Sequence, residues 1–318
     1  MRILYIGATD THEQYVRGIV PSHWLYGAVE MEKDGHEVIW EQERPTLLND
    51  WRLIKRYQPN HVFIPNLNLH NHLLLLTLSA IGIYRIPITA WLHHEPKAKK
   101  GVKALLYRFL LLGCKHLFFL SEKTMEETIS HGLAKRERCS EPGWGADMDF
   151  YSKVKVTEDE YFVSTGKENR DFETLIEAFQ QTGAPLLIMT ANAHGGNNHE
   201  WLIERCKDIP NIKVVITENT GNVYPQMLEA MANAKALVCP LLQDRLNYCV
   251  GLSTIADAEG LKKPLIITKN PYHSKERIAQ FQTVETIEDW IEAIHNMKKP
   301  TLTHYSMKSC WGKMAGKS

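Results

Sequence analysis

The sequence predicts an α/β protein of two Rossmann-like domains, and three observations carry that prediction. Strand-length apolar runs alternate with helix-length amphipathic stretches, the pattern of parallel sheets covered by helices on both faces. The series restarts after "EPGWGADMDFYSKVKVTEDE". The length of 318 residues is too great for one typical core and suits two.

The first series opens with a strand at 3–6, then a helix capped by Ser22 that runs to Asp34 and ends at Gly35, then a strand at 37–40. Buried strands follow at 61–65, 88–92 and 116–120, with helical patterns between them. Ser121 opens another helix, with Glu126 and Glu127 in its first turns and Gly132 just past its end. In the second series, strands at 161–164, 185–189, 212–216, 236–239 and 264–267 alternate with helices at 171–182, 198–207, 224–233 and from Thr254. The division is expected near residue 155, giving domains 1–155 and 156–300 and a closing segment 301–318.

Composition excludes several classes. Apolar residues are 44% and charged residues 23%, as in a soluble globular protein. Thirty-seven basic residues balance thirty-seven acidic ones, so net charge gives no reason to expect nucleic acid. Six cysteines are scattered without a Cys-x-x-Cys, which reads as reduced thiols in the cytoplasm rather than a disulfide frame or zinc site. No secretory signal pattern opens the chain, and its most apolar run, 73–83, is too short to span a bilayer.

The first turn, "MRILYIGATDTHEQ", looks like the start of a dinucleotide site but fails the fingerprint. Only Gly7 is supplied, and Asp10 and Glu13 stand where backbone must approach a pyrophosphate. It reads instead as a β-α turn at the mouth of a sheet. The second domain carries a better anion site. After a strand that ends at Gly166 come Lys167 and Arg170; after a strand that ends at Pro240, a polar loop leads to Gly251 and a helix that starts at Ser253 and Thr254. Amides at that helix start attract phosphate, the two cations add charge-assisted bonds, and Asp257, placed on the helix's first turn, suits two ribose hydroxyls. Taken singly, each of these is an ordinary surface cation or helix cap.

In this order the segments resemble the family-4 retaining glycosyltransferases of GT-B fold, over most of the chain. "STGKENRDFETLIEAF" resembles the family's phosphate-binding segment and "LIEAF" helix, and "GLSTIADAEGLKKPLIIT" its Glu-Ala-Met-Ala-x-Gly-Lys-Pro-Val-Ile segment. "CKHLFFLSEKTMEETISHGL…EPGWGADMDFY" resembles its interdomain join, and "PITAWLHH" the strand and loop of its active-site histidine. The resemblance implies two Rossmann-like domains facing across a cleft, acceptor on the N-terminal one and nucleotide-sugar on the C-terminal one. It places the catalytic histidine at His93, the phosphate-binding cations at Lys167 and Arg170, and the second motif carboxylate at Asp257. Gly251, Ser253 and Thr254 complete the donor loop. The family's first glutamate is absent: Cys249 stands in its place, leaving Asp244 or Asn247 to reach the donor sugar. The implied reaction moves a hexose from a nucleoside diphosphate sugar, UDP-linked foremost, with retention and without a metal or other cofactor. A nucleotide-sugar epimerase and a non-catalytic nucleotide-sugar-binding protein are the alternatives. The last segment, around Trp311, resembles the family's closing helix, which returns to the first domain.

Other features read more simply. Asp147 and Asp149 form an Asp-x-Asp in the join, His194 and His199 lie in a Gly-Asn loop, and His70 and His72 belong to a strand-to-helix turn. No Gly-x-Ser-x-Gly elbow occurs. The stretch "PKAKKGVKALLYRFLLLGCKHLFFLS" holds six Lys or Arg and no acid, with Val102, Leu105, Leu106, Phe109 and Leu110 at helical spacing. It is either a core-facing helix with a solvated end or a face resting on anionic lipid through residues 97–115. The second reading makes the acceptor a lipid or lipid-linked molecule and the protein peripheral on the inner face of the membrane.

Overall fold

The computed structural model describes every residue except 45, 47, 98–99, 167, 192–198, 218–222, 247, 302–304 and 317–318. It divides into two compact units, Met1–Gly145 with Ser306–Ser318, and Ala146–Tyr305. The division falls earlier than the expected residue 155 because the short helix Met148–Tyr151 is held by the second unit, where the Tyr151 hydroxyl bonds Asp257.

The first unit is built on a six-stranded sheet: β1 (Arg2–Gly7), β2 (Glu37–Gln42), β3 (His61–Ile64), β4 (Ile88–Leu92), β5 (His116–Phe119) and β6 (Cys139–Ser140). Its order is β2-β1-β3-β4-β5-β6, and every pairing is parallel. The strands are short apolar runs because helices cover both faces; Leu4, Ile6, Val62, Ile64, Ile88 and Ala90 are buried in one cluster. The second unit repeats the plan with β7 (Phe162–Thr165), β8 (Leu186–Ala191), β9 (Ile212–Thr217), β10 (Ala236–Cys239), β11 (Leu265–Thr268) and β12 (Gln282–Val284), in the order β12-β11-β10-β7-β8-β9, again all parallel. Phe162, Ile188, Val238 and Ile266 pack there against Leu175, Phe179 and Trp290.

These orders position the sites. In an open parallel sheet, ligands collect outside the carboxyl ends of the strands, where the strand order reverses. That point lies between β1 and β3 in the first unit and between β7 and β10 in the second.

Two expected helix starts differ. Ser22 does not cap a helix: Ser22–Leu25 is a 3-10 turn, left-handed Tyr26 (φ 54°) and Gly27 (φ 96°) follow, and the α-helix is only Ala28–Lys33. Gly27 also makes room for a neighbour: a Cβ there would lie 3.3 Å from Cε of Met314. The closing helix Met307–Met314 packs at that place, and the buried Trp311 indole N–H donates to Asp34 Oδ2 at 2.5 Å. Ser121 precedes the helix Glu122–Ser130, but its hydroxyl makes no capping bond.

Candidate functional site

The second unit's reversal point gathers most of the expected donor residues. β7 runs into Gly166, whose φ of +108° only glycine adopts easily. The Arg170 guanidinium lies against it: a Cβ on Gly166 would sit 2.5 Å from Arg170 Nη2. Arg170 is pinned from the other side by a bridge to Leu241, just past β10. Its Nη1 donates to the Glu168 carbonyl at 2.9 Å and its Nη2 to Thr254 Oγ1 at 3.5 Å, while Nε is buried without a partner among the described residues. A half-buried cation with an unpaired donor is poised for an anion.

Thr254 belongs to the helix Leu252–Leu261, which starts one residue before the expected Ser253. Its cap, Gly251 (φ +85°), offers no side chain to the first amides, so they remain available to an anion. Ser253 is exposed there and Thr254 buried. Asp257 lies in the second turn of this helix, not the first. It is 6% exposed, and two phenol hydroxyls converge on its Oδ1: Tyr151 at 2.6 Å and Tyr224 at 2.8 Å. Burial pushes the Asp257 carboxyl up to about 6, and the two hydroxyls pull the other way. Burial and the facing carboxylate raise both tyrosines well above the usual phenol range, so both remain donors. Gly260 provides the room for this arrangement, since a Cβ would lie 2.1 Å from Cδ2 of Tyr151.

Tyr151 and Tyr224 do not stand out in the sequence: Tyr151 closes the segment that resembles an interdomain join, and Tyr224 opens the expected helix 224–233. The glycine at 260 was the signal, a small residue where the helix must admit a ring. Lys167 and Asn247 lie outside the described residues, as does His194. Asp244 is exposed on the 3-10 turn Gln243–Arg245. Asp147 caps the short helix Met148–Tyr151, accepting from Phe150 N at 3.1 Å. His199 meets Phe172 edge-on at 5.6 Å. Among the described residues no group of three or more His, Cys, Asp or Glu side chains is gathered as metal ligands.

In the first unit, His93 follows β4 directly. Its Nε2 lies 3.0 Å from the Pro65 carbonyl, at the end of β3. A carbonyl only accepts, so Nε2 carries the proton and Nδ1 keeps a lone pair. Burial pushes its pKa down to about 4 against the help of that bond, so the ring is neutral at physiological pH. His94 is exposed, and Glu95 pairs with His131.

A second cluster at the same edge was not legible as one. His72 is buried to 1%; its Nδ1 donates to Asp50 Oδ2 at 2.9 Å and its Nε2 faces Glu43 Oε1 at 3.4 Å. A neutral imidazole would turn a lone pair on one of the two carboxylates, so the geometry calls for the imidazolium. Burial alone lowers the pKa, but hydrogen bonding and charge from Asp50 and Glu43 outweigh it and raise it to about 9. Glu43 is held below its usual range by His72 and Asn71 in spite of its partial burial. It accepts from Asn71 Nδ2 at 2.6 Å, and its own amide donates to Gly7 O at 3.0 Å. The Gly7 turn is therefore bordered by a carboxylate held ionised. The three residues lie within 30 positions of one another but on a strand end, a helix start and a later loop, and no known motif spacing announces them.

No protein-family model matches the chain, and no curated protein matches it. Solved structures do. Anabaena HepE in complex with UDP aligns over 100% of this chain and 95% of its own, at TM-score 0.60 and 12% identity. AviGT4, a glycosyltransferase involved in avilamycin A biosynthesis, aligns over 100% and 96% at TM-score 0.61 and 9% identity. The UDP-GlcNAc 2-epimerase of Neisseria meningitidis bound to UDP-GlcNAc aligns over 99% of both chains at TM-score 0.58 and 10% identity. The chain thus has the GT-B fold, which these solved glycosyltransferase and epimerase structures share.

Proposed function

We propose that this GT-B protein is a glycosyltransferase that moves a hexose from a nucleoside diphosphate sugar, UDP-linked foremost, to a hydroxyl of a lipid, lipid-linked or glycan acceptor, with retention of anomeric configuration. The observation that carries the reading is the convergence at the β7–β10 reversal point of an uncapped helix start, the Arg170 guanidinium and a buried carboxylate. Phosphate, ribose and cation chemistry are then served by one loop and one helix. UDP or a UDP-sugar is bound by HepE and the Neisseria epimerase, structural neighbours of this chain.

On this reading the diphosphate meets the amides of residues 252–254, Arg170 and Lys167, whose combined positive charge stabilises it as it leaves and makes a metal unnecessary. Asp257, ionised above pH 6 and steadied by Tyr151 and Tyr224, accepts the ribose hydroxyls. His93 accepts a sugar hydroxyl at Nδ1. The departing phosphate oxygen takes the acceptor proton on the face it leaves, so the new bond forms on that face. No enzyme nucleophile is needed; the protein neutralises and holds. Six free cysteines, all buried, suit a reducing cytoplasm.

The test incubates purified protein with a panel of nucleotide-sugars and membrane lipid extract, and reads product by mass and anomeric configuration by NMR. A glycosylated product with retained configuration supports the reading. An inverted product rejects the mechanism. A donor epimerised without acceptor makes the protein an epimerase, and tight nucleotide binding with no turnover of any donor makes it a binding protein.

A further inference from the structure

The helix Gly101–Leu111 is apolar on both sides, and only one side is covered. Tyr107, Leu110 and Leu111 are buried against the first unit's core. On the opposite side Val102 is 84% exposed, Leu105 65% and Leu106 45%, with Leu112 at 42% just beyond. The spacing of 102, 105, 106 and 109 traces one face of a helix. Of the expected stripe, Leu110 turns inward, Phe109 is half-buried, and Val102, Leu105 and Leu106 face solvent, which removes the core-facing reading for them.

The neighbouring helix Leu73–Ala80 packs against it and adds Leu73, then Ile81 and Ile83 in the turn that follows, at 37%, 53% and 66% exposure. Seven of the fourteen exposed large apolar side chains among the described residues thus come from these two helices and their ends. Scattered apolar exposure is ordinary; concentration of this kind marks a docking face.

Charge says what docks. From residue 51 to residue 121 the chain has ten Lys or Arg and one acid, Glu95, although it is neutral as a whole. Glu95 is paired with His131. Lys97, Lys100, Lys103, Arg108, Lys115 and Arg85, in or beside these two helices in sequence, are all exposed. A protein partner with an apolar patch would not need this one-sided excess, whereas an anionic bilayer supplies both an acyl boundary and a negative surface. No helix among the described residues is long and apolar enough to cross a membrane.

We propose that the exposed apolar face of the helix Gly101–Leu111, carried by Val102, Leu105 and Leu106, rests in the headgroup–acyl boundary of an anionic bilayer, with Lys97, Lys100 and Lys103 among the lipid headgroups. The protein lies on the membrane and does not span it. An acceptor held in that bilayer would then be met at the surface, which narrows the acceptor class of the transfer reaction to a membrane lipid or lipid-linked sugar.

The experiment is co-sedimentation of the full chain with vesicles of phosphatidylcholine alone and of phosphatidylcholine with phosphatidylglycerol. Two variants accompany it, Lys97→Glu/Lys100→Glu/Lys103→Glu and Leu105→Ser/Leu106→Ser. Wild type is expected to sediment with the anionic vesicles at low salt and to be released as salt rises. The triple variant should partition at least roughly a hundredfold less, at about fivefold for each surface cation lost. The Ser variant should also bind more weakly, and the binding that remains, carried by the lysines alone, should be released at lower salt than that of wild type. Thermal unfolding followed by the fluorescence of Trp91 and Trp144, buried in the unit that carries the substitutions, shows whether the variants are folded, and UDP calorimetry separates this face from the site in the second unit. Wild type left in the supernatant with anionic vesicles, equal binding to both vesicle types, or unaltered binding by either variant overturns the proposal. So does a wild-type dimer in solution that the Ser variant dissociates, which would make a second copy the occupant.

Discussion

Replacing His72 with Gln should make the stability of the first unit depend on pH in a way that identifies the buried imidazolium. In the native protein the ring is enclosed between Asp50, 2.9 Å away, and Glu43, 3.4 Å away, and its pKa rises from 6.5 to about 9. At roughly 1.4 kcal/mol per pH unit, that rise is equivalent to about 3 kcal/mol of folding free energy. Glu43 is partly open to solvent, with 23% of its side chain exposed, which makes about 2 kcal/mol the better expectation. The folded-state pKa is raised, so the contribution is complete below pH 6.5, fades above it and is gone above pH 9. His72→Gln removes the charge while keeping a hydrogen-bond donor for one of the carboxylates. The two proteins should therefore differ most at pH 6 and converge towards pH 10. Urea unfolding at several pH values, followed by the fluorescence of Trp91 and Trp144, which lie buried in this unit, measures the difference. Parallel stability curves for the two proteins, or a His72 ring that NMR finds neutral at pH 7, would refute the reasoning.

Three further outcomes follow from the geometry. Gly260→Ala should place a methyl 2.1 Å from the Tyr151 ring, pull that hydroxyl from Asp257, cost about 1–3 kcal/mol in thermal unfolding and weaken UDP binding; an unchanged melting temperature would show that the ring is not fixed there. Arg170→Ala should weaken UDP binding by roughly 1.5–3 kcal/mol, the size of a charge-assisted bond, and calorimetry that finds equal affinity removes Arg170 from the site. His93→Ala should lower turnover with UDP affinity intact; since the wild-type ring titrates near pH 4, turnover should show no inflection from this group between pH 6 and 9, and an inflection lost in the variant would mean that its charge is used.

The sequence by itself determined the fold. Strands such as β10 (Ala236–Cys239) and β4, apolar but for Thr89, are buried along their whole length, and hydrophobic burial on both faces is a property that such runs announce locally. It also made legible the elements that meet at the second unit's reversal point, because Gly166, Arg170, Gly251 and Thr254 are local punctuation of strand ends and helix starts, with Asp257 a turn further on. Tertiary structure decided what packing alone can decide. Tyr151 and Asp257 lie 106 residues apart, and only the closeness of the two helices that carry them makes one the partner of the other. His72, Asp50 and Glu43 become a charged cluster because the end of β2 and the starts of two helices, Asn49–Tyr57 and Leu73–Ala80, come together. The one-helix expectation from Ser22 to Asp34 failed because helical periodicity does not see the left-handed turn at Tyr26 and Gly27, where the closing helix packs. The stripe at residues 102–110 had the same periodicity whether turned in or out. Periodicity fixes which residues share a face, and only the packed neighbours decide which face meets the core.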